Sequence, residues 1–309
     1  MMQSTEFKSQ ADTEVIFVSD FFVHDYQGGA ELTSETYIEC CPKKLVKLYA
    51  RGLTKELVLD NKDKKWVFGN WISAPLDALA QLVVSDCDYS IIEYDYKICK
   101  YRSPQLHQIQ ENKACDCLIG KKMGPYGPFV DNFYARAKNI FFMSEQQRQY
   151  YINNTSVFRK NAHKNSLVLG SAWPEVDLQF LITKYNNRVK NGIKKPNTYA
   201  ILSGGTWIKN QKGCEEFCKN NNISYELVGN LPHGAFLDKL SEYEGLVFLP
   251  AGFDTAPRIV IEAKIMGLNL HLNDFVQHQH EEWFAGDVSD MLDHLRTRKN
   301  VLWRNIFLT

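Results

Sequence analysis

The chain lacks an apolar run approaching the roughly 20 residues that a membrane-spanning helix requires, so no transmembrane segment is expected. Its start, MMQSTEFKSQADTEV, lacks the charged and apolar regions of a secretory leader, and a cytoplasmic location is the expectation. Net charge is missing too. Lys and Arg total 36 against 36 Asp and Glu, giving a formal charge of zero, so the broad positive field that drives nonspecific nucleic-acid binding is absent. Cysteine is present but never as Cys-x-x-Cys. The eight residues Cys40, Cys41, Cys87, Cys99, Cys115, Cys117, Cys214 and Cys218 do not follow structural-zinc spacing, and reduced, partly buried thiols are expected. His278-x-His280, ahead of Glu281-Glu282, has no third spaced ligand, so neither a metal nor a cofactor is expected.

What is there is an alternation of apolar runs with helix-like stretches. The runs Val15 to Val18, Leu45 to Leu48, Tyr89 to Ile92, Ile140 to Met143 and Leu167 to Leu169 interleave with patterns such as Asn132 to Lys138 and Gln146 to Ile152. This order predicts an α/β chain with a parallel sheet covered on both faces. Asp177 to Pro196 is polar and basic, the best linker candidate. A second, smaller set of runs follows at Tyr199 to Leu202, Tyr225 to Val228, Leu246 to Leu249 and Asn269 to Leu272, and the tail Val288 to Leu308 is helix-like. At 309 residues the chain has room for two domains, each with its own core.

The richest stretch is Leu246 to Leu272, LVFLPAGFDTAPRIVIEAKIMGLNLHL. Its first run ends at Pro250, Gly252 breaks the chain, and Thr255 stands where an N-cap belongs. Pro257 falls in a first turn, and Gly267 follows the last helical residue, so a helix over about Ala256 to Met266 is predicted. A helix beginning at the carboxyl end of a parallel strand points unpaired N–H groups and the positive end of its dipole into a crevice, an arrangement that suits phosphate. Asp254 and Glu262 bracket that site.

Asp254-x(7)-Glu262 resembles the E-x(7)-E donor motif of retaining glycosyltransferases of the GT-B fold, family four, with the first acid shortened to Asp. Two further segments are similar to the same family. Gly28-Gly29-Ala30-Glu31, after the first apolar run, resembles its amino-terminal G-G-x-E loop. Ser203-Gly204-Gly205-Thr206-Trp207-Ile208-Lys209-Asn210-Gln211-Lys212-Gly213 resembles its glycine loop with a Lys-Gly pair, although Thr206 or Trp207 stands where an arginine is expected. Lys212 fits the lysine. Lys209 or Arg258 would supply the missing charge, and the sequence does not choose between them.

The resemblance implies two Rossmann-like doubly wound domains facing across a cleft: an acceptor-side domain over 1–176 and a nucleotide-sugar domain over 177–309, its last helix crossing back. It implies sugar transfer, without a metal, from a UDP- or GDP-sugar to a glycan, lipid or other hydroxyl acceptor. Asp254 would face the sugar hydroxyls and Glu262 the ribose. Thr255, Ala256 and Pro257, with Lys212 and the amides near Gly29 and Gly205, would meet the diphosphate. On the acceptor side the resemblance thins, leaving His24, Asp95 and Arg102 as candidates; His24 and His107 are acid or base candidates, although a lone histidine is more often structural. A noncatalytic nucleotide-sugar-binding protein, a GT-B epimerase and a phage-type DNA glycosyltransferase are the alternatives, since fold does not fix reaction.

Overall fold

The computed structural model describes residues 12–118, 126–204 and 206–308. Two parallel sheets organise the chain. The first holds β1 (Val15–Ser19), β2 (Leu45–Tyr49), β3 (Lys65–Phe68), β4 (Tyr89–Glu93), β5 (Asn139–Phe142) and β6 (Ser166–Val168), in the order β2-β1-β3-β4-β5-β6. The second holds β7 (Lys195–Leu202), β8 (Ser224–Val228), β9 (Tyr243–Phe248) and β10 (Asn269–Leu272), in the order β10-β9-β7-β8. Parallel neighbours require crossovers. Helices α1 (Gly29–Glu39), α2 (Lys55–Asp60), α3 (Leu76–Val84), α4 (Pro104–Glu111), α5 (Tyr126–Arg136), α6 (Glu145–Asn154) and α7 (Ala162–Asn165) accompany the first sheet. Then come α8 (Glu175–Asn191), α9 (Gln211–Asn220), α10 (His233–Leu240), α11 (Arg258–Ile265), α12 (Glu282–Ala285) and α13 (Val288–Phe307).

Strand periodicity sorts the core. In β1, Ile16 and Val18 join Trp66, Phe68 and Phe133 on one face of the first sheet, while Val15 and Phe17 join Phe141 and Tyr37 on the other. That second face is closed by the end of the chain. Leu302, Trp303 and Ile306 of α13 pack there, with Trp303 Nε1 donating to the Tyr37 carbonyl at 2.9 Å. Earlier in the same helix, Met291 and Leu295 pack with Leu246, Phe248 and Val260 beside the second sheet. One helix thus touches both cores.

Three details differ from the sequence reading. The linker candidate is mostly helix α8, which buries Leu178 and Leu181 and turns its charged face outward. Strand β3 was not expected because its apolar run, Trp66 to Phe68, is short and follows Lys64 and Lys65. Helix α11 begins at Arg258 with Pro257 as its N-cap residue, and Thr255 is not the cap. The Thr255 hydroxyl instead donates to the Tyr94 carbonyl at 2.8 Å, joining the loop after β9 to the end of β4. A tertiary acceptor has replaced the local one. Of the turn-rich stretch 121–128, residues 121–125 lie outside the described residues and the rest opens α5.

Candidate functional site

A pocket of about 500 Å³ lies where the two sheets present their strand ends to each other. Its walls come from segments at or just after strand ends: 26–30 with Leu32 after β1, Tyr94 after β4, 202–204 with Thr206 and Lys209 at the end of β7, Leu231, His233 and Phe236 after β8, and 254–259 with Glu262 after β9. Ligand crevices in open parallel sheets form at this end because backbone N–H groups and helix starts converge there. Two helix starts, those of α1 and α11, line it. Both have free N–H groups in the first turn and the positive end of a helix dipole. At α1 no side chain caps the helix, and Gly29 sits beside the Arg258 side chain, where a Cβ would be in ordinary contact at 3.6 Å from Cδ.

Arg258 is the central cation and is 5% exposed. Its Nη1 donates to the Ala172 carbonyl at 2.5 Å and to Thr33 Oγ1 at 3.3 Å, and its guanidinium lies 4.1 Å from the centre of the Trp173 ring. Nε and Nη2 are buried without hydrogen-bond partners. Burial pushes its pKa down, against the raising pull of Glu262. One turn along the helix, Glu262 Oε1 accepts from Trp173 Nε1 and His233 Nε2, both at 3.1 Å, with Arg258 Nε at 3.5 Å. Burial raises the Glu262 pKa, but the His233 hydrogen bond and the Arg258 charge outweigh it and hold it below the ordinary value. These contacts all fall on Oε1.

A second charged pair faces the first. Lys209 Nζ donates to Asp254 Oδ2 at 3.0 Å and lies over the Phe248 ring. Asp254 is held by its backbone, N–H to the Phe275 carbonyl at 2.9 Å and carbonyl from Gln277 N–H at 3.1 Å. On the α1 side Glu31 is buried, and burial raises its pKa against the lowering effects of its own backbone N–H and Arg102.

Gly29, Thr206, Lys209, Asp254, Thr255, Ala256, Pro257, Arg258 and Glu262 therefore line one pocket. Lys212 does not: it is exposed on α9, whose start turns it away from the lining. Gly205 lies outside the described residues. His24 is exposed beside the pocket and shares a 2.8 Å hydrogen bond with Tyr49. Asp95 and Arg102 are engaged with each other in an ion cluster that includes Lys97 and Glu93, rather than lining the pocket. His233 was not anticipated. Its signal was local, a histidine directly after Pro232 at a helix start, but only the fold shows that it meets Glu262. His278 is buried against Trp283 and Phe284. Among the described residues one group has the donor atoms for a metal, Cys99, His107, Cys115 and Cys117, and none of these lines the pocket.

No family model matches the chain, and no curated protein matches it significantly. Its structure is similar to Anabaena Alr3699/HepE solved in complex with UDP and glucose, at a TM-score of 0.50 and 10% identity over 95% of each chain. HepE in complex with UDP-glucose gives a TM-score of 0.52 at 10% identity over 95% of this chain and 91% of that one. At this identity the likeness concerns the fold: an α/β chain with parallel sheets and Rossmann-like strand order, consistent with a GT-B-like fold.

Proposed function

We propose that the chain is a retaining glycosyltransferase that moves a sugar from a nucleotide-diphosphate sugar to a hydroxyl acceptor, with the pocket as its donor site. The observation that carries this reading is Arg258, a buried guanidinium whose Nε and Nη2 have no hydrogen-bond partner, set beside two helix starts. An unmet buried donor is costly, and an anion arriving in the pocket would relieve it. The fold shared with a protein solved with UDP-glucose supports a nucleotide sugar as that anion. In this reading residues 1–176 form the acceptor-side domain and 177–309 the donor domain.

Arg258 and the start of α11 would take the diphosphate, so the leaving group's charge is met without a bound cation there. Glu262 Oε2 would accept the ribose hydroxyls, with His233 and Trp173 fixing the carboxylate. Leu231, Phe236 and Ile259 offer apolar surface for the base. Lys209 would turn from Asp254 toward phosphate, freeing Asp254 for sugar hydroxyls. The bond from sugar C1 to the phosphate oxygen breaks, the acceptor oxygen bonds to C1 on the same face, and the acceptor proton passes to the departing diphosphate. Lys212 has no contact role here, and Asp95 and Arg102 brace the loop after β4.

The test is binding followed by turnover. UDP or GDP, and the matching sugar, should raise the melting temperature of the chain, by the equivalent of about 2.7 kcal/mol at 100 times Kd. Arg258→Gln, checked for fold by circular dichroism, should weaken diphosphate binding by about 30-fold, close to 2 kcal/mol, and leave the free nucleoside nearly unaffected. Diphosphate binding without release of product from any sugar would turn the reading to a binding protein. Absence of diphosphate binding would end it.

A further inference from the structure

Cys99, His107, Cys115 and Cys117 converge below the loop that follows β4. One donor atom from each lies within 4.8 Å of all the others. His107 Nδ1 is 3.4 Å from Cys117 Sγ and 3.7 Å from Cys99 Sγ. Cys99, His107 and Cys117 are buried, and Cys115 is half-buried. Thiols are weak hydrogen-bond partners, so three of them around an imidazole satisfy its polar edge poorly. The other edge of the ring is also informative. His107 Nε2 and Asp116 Oδ1 are both buried and without hydrogen-bond partners, yet they face each other at 3.5 Å.

We propose that these four side chains bind one zinc ion as a structural Cys3His site. Three thiolates and one imidazole are soft-to-borderline donors that suit zinc and not the oxygen-seeking cations. A tetrahedral zinc with Zn–S bonds of about 2.3 Å needs donor atoms roughly 3.8 Å apart, so the present cluster closes by small side-chain rotations. With Nδ1 on the metal, the His107 proton resides on Nε2 and points at Asp116. Both orphaned atoms are then paired in the carboxylate–histidine–metal arrangement that orients such ligands. Four protein ligands leave no open position, and none of them lines the pocket, so the role is structural.

The surrounding chain gives the ion a task. Helix α4 buries only Pro104 and His107, while its Ile109 is 60% exposed, so this segment has little apolar contact of its own. Segments too small to build a core are commonly held by a metal instead. Held this way, α4 keeps Gln105 in place, whose Oε1 accepts from Phe253 N–H at 3.3 Å in the loop carrying Asp254. The spacing Cys-x(7)-His-x(7)-Cys-x-Cys matches no common zinc pattern, which is why a metal was not expected from the sequence.

The test needs no donor or acceptor and stands apart from the reading of the pocket. The full chain, without a histidine tag and purified under reducing conditions without chelator, should carry about one zinc per chain by inductively coupled plasma mass spectrometry. Cys117→Ser and His107→Ala should lose most of it, whereas Cys40→Ser, outside the cluster, should retain it. If the cluster variants fail to fold, the wild-type chain decides: mercurial titration of its thiols should release the zinc, and cobalt in its place should show thiolate charge-transfer and tetrahedral d–d absorption. Metal-free folded protein with all eight thiols titratable, or a disulfide within the cluster in the purified chain, would overturn the proposal.

Discussion

Arg258 and Glu262 stand one turn apart on α11, and both are nearly sealed from water. A buried ion pair is a poor source of stability, because the desolvation of two charges consumes most of their attraction. Here the pair is also incomplete, since Arg258 Nε meets Glu262 only at 3.5 Å and Nη2 has no hydrogen-bond partner, while Glu262 receives Trp173 and His233. The proposed division of labour gives each residue its own signature. Glu262→Gln should weaken nucleoside and nucleoside diphosphate alike, by about tenfold or 1.4 kcal/mol, because the ribose is common to both ligands. Calorimetry with the two ligands checks this, and unchanged affinity in a folded variant would remove Glu262 from the ribose. The acid at this position was legible from its spacing after Asp254. Its partners were not, because Trp173 and His233 lie 89 and 29 residues away along the chain and meet it only through packing.

At the scale of elements, β9 is an inner strand of the second sheet, hydrogen-bonded to β7 and β10 and leading into the loop of Asp254. Gly245 allows those neighbours to fit. A Cβ there would lie 2.4 Å from the Asn269 carbonyl oxygen and 2.3 Å from the Tyr199 ring. The ring can rotate, but the carbonyl belongs to the neighbouring strand. Gly245→Ala should therefore destabilise the chain by about 2 kcal/mol, read as a lower urea midpoint at unchanged slope. A neutral result would mean that β10 yields at no cost. Most strands were legible because those buried on both faces are continuous apolar runs, as in β1 and β5. Where burial was partial, the pattern misled. Helix α8 resembled a linker because one narrow apolar stripe, Leu178 and Leu181, is set among charges.

Across the whole molecule, α13 touches both cores, and its first turns, with the segment just before them, are a source of acid sensitivity. Trp283 stacks between two imidazoles, His278 at 5.8 Å and His294 at 4.6 Å. Burial, helped by Lys264, lowers the His278 pKa to about 3, and burial with Arg298 lowers His294 to about 4. Between the ordinary value of 6.5 and these depressed values, the unfolded chain binds protons that the folded chain refuses. Stability is therefore full above 6.5 and declines as pH falls through this window. At pH 5 the His278 share amounts to about 2 kcal/mol. Denaturant melts from pH 7 to pH 4 should show this decline, and His278→Phe should flatten it. An equal slope in the variant would assign the acid sensitivity to other groups.

The sequence by itself determined the alternation of strands and helices, the glycine and proline punctuation and the position of Asp254 and Glu262 around a helix start. Each of these rests on periodicity, backbone restriction or spacing within one turn or one crossover. Tertiary structure alone decided that Lys212 faces solvent, that Thr255 bonds across to Tyr94 and that Arg258 reaches Thr33 and Ala172. It also decided that Cys99 and His107 meet Cys115 and Cys117. The physical reason is shared: a side chain's partner is whatever the packed sheets and helices bring within about 3 Å, and that distance is independent of separation along the chain.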